Sequence, residues 1–360
     1  MTPMKRYVIR TDISQEWNAS SKARKDAERI ALEQGYELFR FSGKQSAGKR
    51  LKGMLILLKQ SIQNWHCLYK TIENDAIILI QYPIYPQKSA LWAYVMLRWM
   101  KKRKNARFVA LIHDLNSARN MFGWIGRFSD HVFLKQFDGI ICHTAAMEKW
   151  LCQQGAASQM TIILQLFDYL TDALPMDHHR EQGIAIAGNL EESKSGYIYT
   201  LGRMLANSFP LHLYGKGYIS NEKDQAIWHG AYPPEQLPAE IHGAFGLIWD
   251  GPSVQACEGP MGQYQKLNSP HKTSLYLASG MPVFVWREAA VAPFISEHQV
   301  GLPIASLEEI PNVLSDISPE QYRLLCHNAQ CMGERLRKGE FLSAALKQME
   351  QELIGKGTRQ

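Results

Sequence analysis

The chain has 360 residues, 46% hydrophobic and 21% charged, an ordinary globular composition with length enough for two domains of usual size. That excludes a disordered or fibrous chain, and apolar runs such as Ile77–Ile80 and Leu91–Leu97 fall well short of the roughly 18 residues that span a bilayer. The formal charge of +6 conceals an asymmetry: residues 1–175 hold 25 Lys+Arg against 14 Asp+Glu (net +11), and residues 176–360 hold 15 against 20 (net −5).

Met1–Arg10 has no apolar stretch followed by a small-residue cleavage site, so a cytoplasmic protein is expected. In chain order, Tyr7–Arg10, Glu37–Phe41, Ala76–Ile80, Arg107–Ile112, Gly139–Cys142 and Thr161–Leu164 read as buried strands. Helical patterns at Ser21–Glu33, Ala47–Lys70, Ser89–Lys102 and Ala145–Gln154 separate them, an alternation that argues for a parallel sheet covered on both faces. The pattern restarts after the polar segment Asp172–Gln182, with strands at Gly183–Ala187, Leu211–Tyr214, Phe245–Trp249 and Pro282–Trp286. Pro319–Ile354 reads as helix. The expected division is 1–170, 171–335, and a helix over 336–360 packing across both domains. The fold class is α/β, with two doubly wound halves facing a cleft and ligands at the carboxyl ends of the strands. Six cysteines without a CxxC pair fit reduced, mostly buried thiols rather than a disulfide or zinc framework.

Gly43–Arg50 follows a strand and precedes a helix as a phosphate-binding loop does. Arg50 stands where a Mg²⁺-binding hydroxyl is required, and the next strand carries no Asp, which argues against an NTPase. Gly215-Lys-Gly217 lacks the third glycine of a dinucleotide fingerprint, and no Asp-x-Asp pair suggests a metal-held nucleotide sugar. Neither a redox cofactor nor a metal is expected.

Asn268–Trp286 is the most informative segment. Ser269 suits an N-cap, Pro270 the first helical position, Gly280 the C-terminal stop, for a helix of about ten residues. His271 and Lys272 place positive charge beside the positive end of the helix dipole, a conflict of a few tenths to about 1 kcal/mol that an anion would relieve. Backbone N–H groups, a lysine and the hydroxyl of Thr273 or Ser274 make a diphosphate cradle; the alternative is a solvated lysine on a surface helix. Gly188-Asn189, Gly215-Lys216-Gly217 and Asp250-Gly251 follow strands and together outline a nucleotide pocket, though glycine is also the commonest turn residue.

In the first half, His113-Asp114 ends a strand and offers either a general base for an acceptor hydroxyl or a capping Asp beside a structural His. Asp12 follows the first strand, and Ser20-Ser21 precede a helix carrying Lys22, Arg24 and Lys25, which either meets a ligand or is a solvated face. No acidic residue lies between Ala76 and His113, while Lys88–Arg107 holds seven Lys+Arg interleaved with Trp92, Tyr94 and Trp99. Such a stretch suits an anionic membrane surface or is an ordinary crossover helix with a basic end; no motif accompanies it for nucleic acid.

Phe245–Val254, Cys257-x-Gly259, Gly262-x-Tyr264-x-Lys266-x-Asn268 and Pro270–Leu277 closely resemble the bacterial β-1,6-galactofuranosyltransferases of O-antigen assembly and the related glucosyltransferases that extend glycans on streptococcal adhesins. Lys22–Ala27, Leu111–Asp114, Phe167–Leu170 and Ala187–Leu190 extend the likeness over most of the chain. It implies two Rossmann-like domains of the GT-B type, with a UDP-sugar as donor substrate held mainly by the second and an oligosaccharide acceptor, lipid-linked in O-antigen assembly, approached from the first. Gly188, Asn189, Lys194, Tyr214, Asp250, Tyr264, Lys266, Asn268, His271 and Lys272 would fall on the donor side, and Asp114 with His113 would activate the acceptor. Leu275 stands where broader retaining GT-B enzymes carry a ribose-binding Glu, leaving Asn268 or Tyr264 for the ribose. Glu191–Lys194 lacks an arginine expected beside Asn-Leu, so galactofuranose and glucose both remain candidate sugars. A non-catalytic nucleotide-sugar-binding subunit and a homo-oligomer also remain open.

Overall fold

Runs of β-branched and aliphatic residues bounded by polar turns form strands in a computed structural model, which describes residues 4–11, 19–41, 51–84, 90–156, 160–173, 178, 182–205, 209–220 and 226–357. Gly43–Arg50, Asp12 and Lys88 lie outside the described residues. Contacts divide the chain into two compact units. The first comprises Met1–Glu16, Arg24–Leu164 and Leu342–Gln360, the second Trp17–Ala23 and Gln165–Phe341.

The first unit is built on β1 (Arg6–Thr11), β2 (Glu37–Phe41), β3 (Ile77–Tyr82), β4 (Arg107–Ile112), β5 (Gly139–Cys142) and β6 (Met160–Ile163). All pairs are parallel, in the order β2-β1-β3-β4-β5-β6. Every residue of β3 is buried, the signature of a central parallel strand covered on both faces. Its helices are α1 (Ala19–Glu33) from Arg24 onward, α2 (Leu51–Thr71), α3 (Ala90–Lys104), α4 (Gly123–Phe128) and α5 (Ala145–Leu151). Ala93, Leu97 and Met100 turn one face of α3 into the core.

The second unit holds β7 (Ile184–Asn189), β8 (Leu211–Lys216), β9 (Ala226–Trp228), β10 (Phe245–Ile248), β11 (Val283–Trp286) and β12 (Gly301–Ile304). These are again parallel, in the order β12-β11-β10-β7-β8-β9. Its helices are α6 (Glu192–Ser195), α7 (Tyr197–Leu205), α8 (Leu237–Glu240), α9 (Gly259–Tyr264), α10 (His271–Ala278), α11 (Ala292–Glu297), α12 (Ile310–Asp316), α13 (Pro319–Arg337) and the start of α14 (Glu340–Gly357). Strand order reverses between β7 and β10, so the ligand crevice of such a sheet opens beyond Asn189 and Ile248.

Two strands escape the sequence pattern. The edge strands β9 and β12 are short, and Gly301 and Pro303 disguise β12. The terminal helix is two helices, because Gly339 takes a left-handed φ of 72° between α13 and α14. Ser318 and Gln321 close a reciprocal capping box at the start of α13.

Candidate active site

The crevice beyond β7 and β10 is lined by backbone that only glycine permits. Gly188 has φ 133° and open space where a side chain would stand, and a Cβ on Gly215 (φ 149°) would lie 1.8 Å from the Gly188 carbonyl oxygen. Across the switch point, Asp250 follows β10, and its buried carboxylate is held on both oxygens. Lys272 Nζ donates to Asp250 Oδ1 at 3.0 Å and to the Trp249 carbonyl at 2.9 Å, and Gln265 Nε2 donates to Asp250 Oδ2 at 3.1 Å. Gly251 N–H donates to the Lys194 carbonyl at 2.9 Å, bringing α6 to the same place.

Lys272 is therefore no solvated lysine: its side chain is 17% exposed and two of its three N–H donors are committed to Trp249 and Asp250. It stands in the first turn of α10, which packs over β7 and β10: Tyr276 OH accepts the Ala187 N–H at 2.8 Å, and a Cβ on Gly246 would meet the Tyr276 ring at 2.2 Å.

The helix starts one residue later than the sequence suggests. Pro270 rather than Ser269 is the N-cap, with φ −63° and ψ 136°, and no side chain caps the first turn. The helix is eight residues long, with Gly280 left-handed at φ 73° beyond its end. Around this start several buried polar atoms have no partner among the described residues: Gln265 Oε1, Asn268 Oδ1, His271 Nε2, Thr273 Oγ1 and Ser274 Oγ. Buried groups of this kind ordinarily find partners, so their concentration within ten residues makes this start the candidate site for a polar ligand. No trio of His, Cys, Asp or Glu among the described residues is arranged to hold a metal ion.

His271 brings no positive charge to this turn, contrary to expectation. Burial, reinforced by the Lys22 ammonium, pushes its imidazole down to about 3, so the ring is neutral. Lys22 is itself buried, donating to the Leu170 carbonyl with its Nζ 4.8 Å from the centre of the Tyr169 ring, which lies 5.1 Å from the His271 ring. Only Lys25 fits the solvated-face reading of the first helix. Arg24 is buried and clamps the end of β3, donating to the Gln81 carbonyl at 2.9 Å and the Pro83 carbonyl at 3.0 Å.

The remaining donor-side residues divide. Asn189 Oδ1 accepts the Glu191 N–H at 2.9 Å and shapes the turn after β7. Tyr214 is a core ring: it is 1% exposed, accepts the His242 N–H at 2.8 Å and stacks on His229 at 4.6 Å. Tyr264 is buried at the end of α9. Lys266 reaches outward, pairing with Glu288 at 2.8 Å and lying 5.1 Å from the Trp286 ring centre.

In the first unit, His113 follows β4 and its Nε2 meets Gln81 Oε1 at 2.9 Å, while Arg119 fixes the Asp114 carboxylate at 3.0 Å. Next to them the buried Asp130 accepts from Tyr82 OH and from Ser117 N–H at 2.6 Å. The pair thus stands at the carboxyl edge of the sheet, each member with a defined partner.

Residues 5–166 match the family model of the glucosyltransferase 3-like N-terminal domain, and residues 184–349 that of the C-terminal domain. The chain is 31% identical over 289 residues to the β-1,6-galactofuranosyltransferase WbbI of Escherichia coli K12, covering 78% of this chain and 81% of that protein. It belongs to the glucosyltransferase 3-like family and is a glycosyltransferase. Glucosyltransferase 3 of Streptococcus gordonii is 28% identical over 211 residues, 58% of each chain. Among solved structures, sucrose-phosphate synthase of Thermosynechococcus elongatus matches with TM-score 0.66 at 12% identity, over 98% of this chain and 100% of that one. Anabaena HepE, solved in complex with UDP and glucose, matches with TM-score 0.59 at 13% identity, over 98% and 99%. These structures share the GT-B fold with this glucosyltransferase 3-like chain.

Two buried side chains of this glucosyltransferase 3-like chain, Gln265 and Lys22, have no distinct signature in the sequence. Gln265 sits between Tyr264 and Lys266 and carries no pattern of its own. Lys22 heads a helix with Arg24 and Lys25 close behind, so its burial is visible only once Leu170 and Tyr169 are placed beside it.

Proposed function

We propose that this glycosyltransferase moves a hexosyl unit, galactofuranose in the first instance, from a UDP donor to a sugar hydroxyl of a lipid-linked oligosaccharide on the cytoplasmic side of the membrane. The observation that carries the sugar is the 31% identity to WbbI over most of both chains. The donor class is supported by the start of α10, where uncapped backbone, Lys272 and the hydroxyls of Thr273 and Ser274 suit a diphosphate, and by the UDP bound to HepE, a protein of the same fold.

In this reading the bond between the anomeric carbon and the β-phosphate oxygen breaks, and its electron pair leaves with UDP. Negative charge grows on the diphosphate as it departs, and the remaining N–H of Lys272 with the N–H groups of the first turn of α10 stabilises it. The acceptor hydroxyl oxygen bonds to the anomeric carbon and gives its proton to the Asp114–His113 pair. Asn268 is assigned to the ribose, its Oδ1 being buried and without a partner among the described residues.

A second reading, glucosyl transfer, is favoured by the two matching family models and by the Streptococcus gordonii relative. A panel of UDP-sugars with mass-spectrometric detection of product separates the two. Transfer from UDP-galactofuranose supports the first, and transfer from UDP-glucose alone replaces it with the second. UDP binding without release from any donor and acceptor pair would make the chain a non-catalytic subunit.

A further inference from the structure

The basic, aromatic helix noted in the sequence is apolar on two faces, and only one of them is used by the core. Ala93, Leu97 and Met100 face inward, whereas Leu91 (48% exposed), Val95 (50%) and Trp99 (37%) form an outward row at spacings of four. Arg98 and Lys102 share that outward stripe and are exposed. A second row continues it on α2: Leu58 and Ile62 are exposed one turn apart, and Tyr69 two turns on meets the Trp99 ring at 4.0 Å.

The charges around these rows are of one sign. Neither α2 nor α3 contains an acidic residue, and Lys59 and Lys70 of α2 are exposed. Two carboxylates close to α3 have other partners: Asp138 is taken by Lys101 at 2.6 Å, and Asp75, at the C-terminal end of the helix, accepts from Asn105 Nδ2 at 2.5 Å. Lys101 and Lys104 are likewise committed inward, the latter to the Ile72 carbonyl and the Tyr69 ring, so the outward charge of α3 rests on Arg98, Lys102 and Arg103.

We propose that the outward faces of α2 and α3 dock on an anionic lipid surface, with Leu91, Val95 and Trp99 entering the interface and Arg98 and Lys102 meeting headgroup phosphates. Apolar residues bedded between cations match a bilayer surface, which offers acyl chain and negative charge together. A second copy of this face would set like charges against each other with no acid on either helix to answer them. Nucleic acid would meet the cations and leave the aliphatic row without a partner. The inference stands apart from the donor reading, because its assay measures lipid and not sugar.

The test is co-sedimentation of the full-length protein with vesicles of phosphatidylcholine alone and of phosphatidylcholine mixed with phosphatidylglycerol. Binding to the mixed vesicles, weakened by high salt and absent on phosphatidylcholine alone, is expected. Arg98→Glu with Lys102→Glu should lower binding by on the order of tenfold or more, as should Val95→Ser with Trp99→Ser, while Arg323→Glu in the second unit leaves it unchanged. The thermal unfolding midpoint and far-ultraviolet circular dichroism should match the wild type in all three variants, which shows that they fold. Failure of the wild type to bind mixed vesicles, or binding unaffected by both double substitutions, overturns the proposal. So does a dimer in light scattering that Val95→Ser with Trp99→Ser dissociates, since the face would then belong to a second copy.

Discussion

Two helices of this protein solve the same physical problem in opposite ways. Both α5, after β5, and α10, after the α9 turn, begin with backbone N–H groups that have no intrahelical acceptor. In α5 the chain supplies the answer itself: Thr144 Oγ1 accepts the Met147 N–H at 3.1 Å, and Glu148 adds negative charge to the first turn. In α10 the cap is Pro270, which has no side-chain acceptor, the first turn holds Lys272 instead of an acid, and the hydroxyls of Thr273 and Ser274 are buried without partners. The first arrangement is complete as folded; the second leaves donors and a lysine that suit the anion proposed for it.

The largest effect that separates them is expected at Lys272. Lys272→Ala removes the charge closest to the proposed leaving group and should lower kcat by about 100-fold to 1000-fold, roughly 3–4 kcal/mol of transition-state stabilisation. It also strips Asp250 of its cation, so thermal unfolding must be measured beside steady-state kinetics. A folded Lys272→Ala enzyme with wild-type kcat would break the comparison, because α10 would then be a structural helix like α5.

Acid sharpens it next. His143, beside β5 in the first unit, is pushed down to about 4 by burial although its Nε2–H donates to the Ile112 carbonyl at 2.8 Å, and His271 at the start of α10 is pushed down to about 3. Unfolding returns each ring to its ordinary value near 6.5, so below that pH the unfolded chain binds more protons than the folded one. The stability both rings contribute is fully present above pH 6.5 and is lost as pH falls toward the folded values, at roughly 1 kcal/mol per pH unit for each. Midpoints of thermal unfolding between pH 7 and 5 check this, and His143→Gln should flatten the dependence of the first unit while leaving that of the second. A midpoint that does not move with pH would show that neither ring is held neutral.

Much of this contrast is legible in the sequence, and the reasons for the remainder are physical. Central strands such as Ile77–Tyr82 announce themselves because both faces are buried and Ile77–Ile80 form an unbroken aliphatic run. The edge strand Gly301–Ile304 does not, because it needs neither β-branched residues nor unbroken donors on its open side. The α10 segment was recognisable from Pro270, Lys272 and Gly280, yet His271 was given a charge that burial removes. Tyr214 falls on the donor side by family resemblance alone, and packing puts its ring in the core on His229. Burial of polar side chains is a tertiary property: Lys22, Lys25 and Arg24 share one helix, and only their neighbours decide which of them meets solvent.

The smallest expected effect tests the two caps directly. Thr144→Ala should cost about 1 kcal/mol of stability, the ordinary worth of an N-cap, and leave UDP affinity unchanged in isothermal titration. Pro270→Ser does the reverse at α10: a serine hydroxyl can accept from the first-turn N–H groups, as Thr144 does in α5, and so occupies the donors assigned to the diphosphate. UDP affinity should fall about fivefold, equivalent to about 1 kcal/mol, while stability changes little, because the new cap is offset by loss of proline's restriction on the unfolded chain. If Pro270→Ser binds UDP as tightly as the wild type, the first-turn N–H groups of α10 do not hold the phosphates. Lys272 and the Thr273 and Ser274 hydroxyls would then have to do so alone, and the missing cap would be a matter of packing rather than of ligand binding.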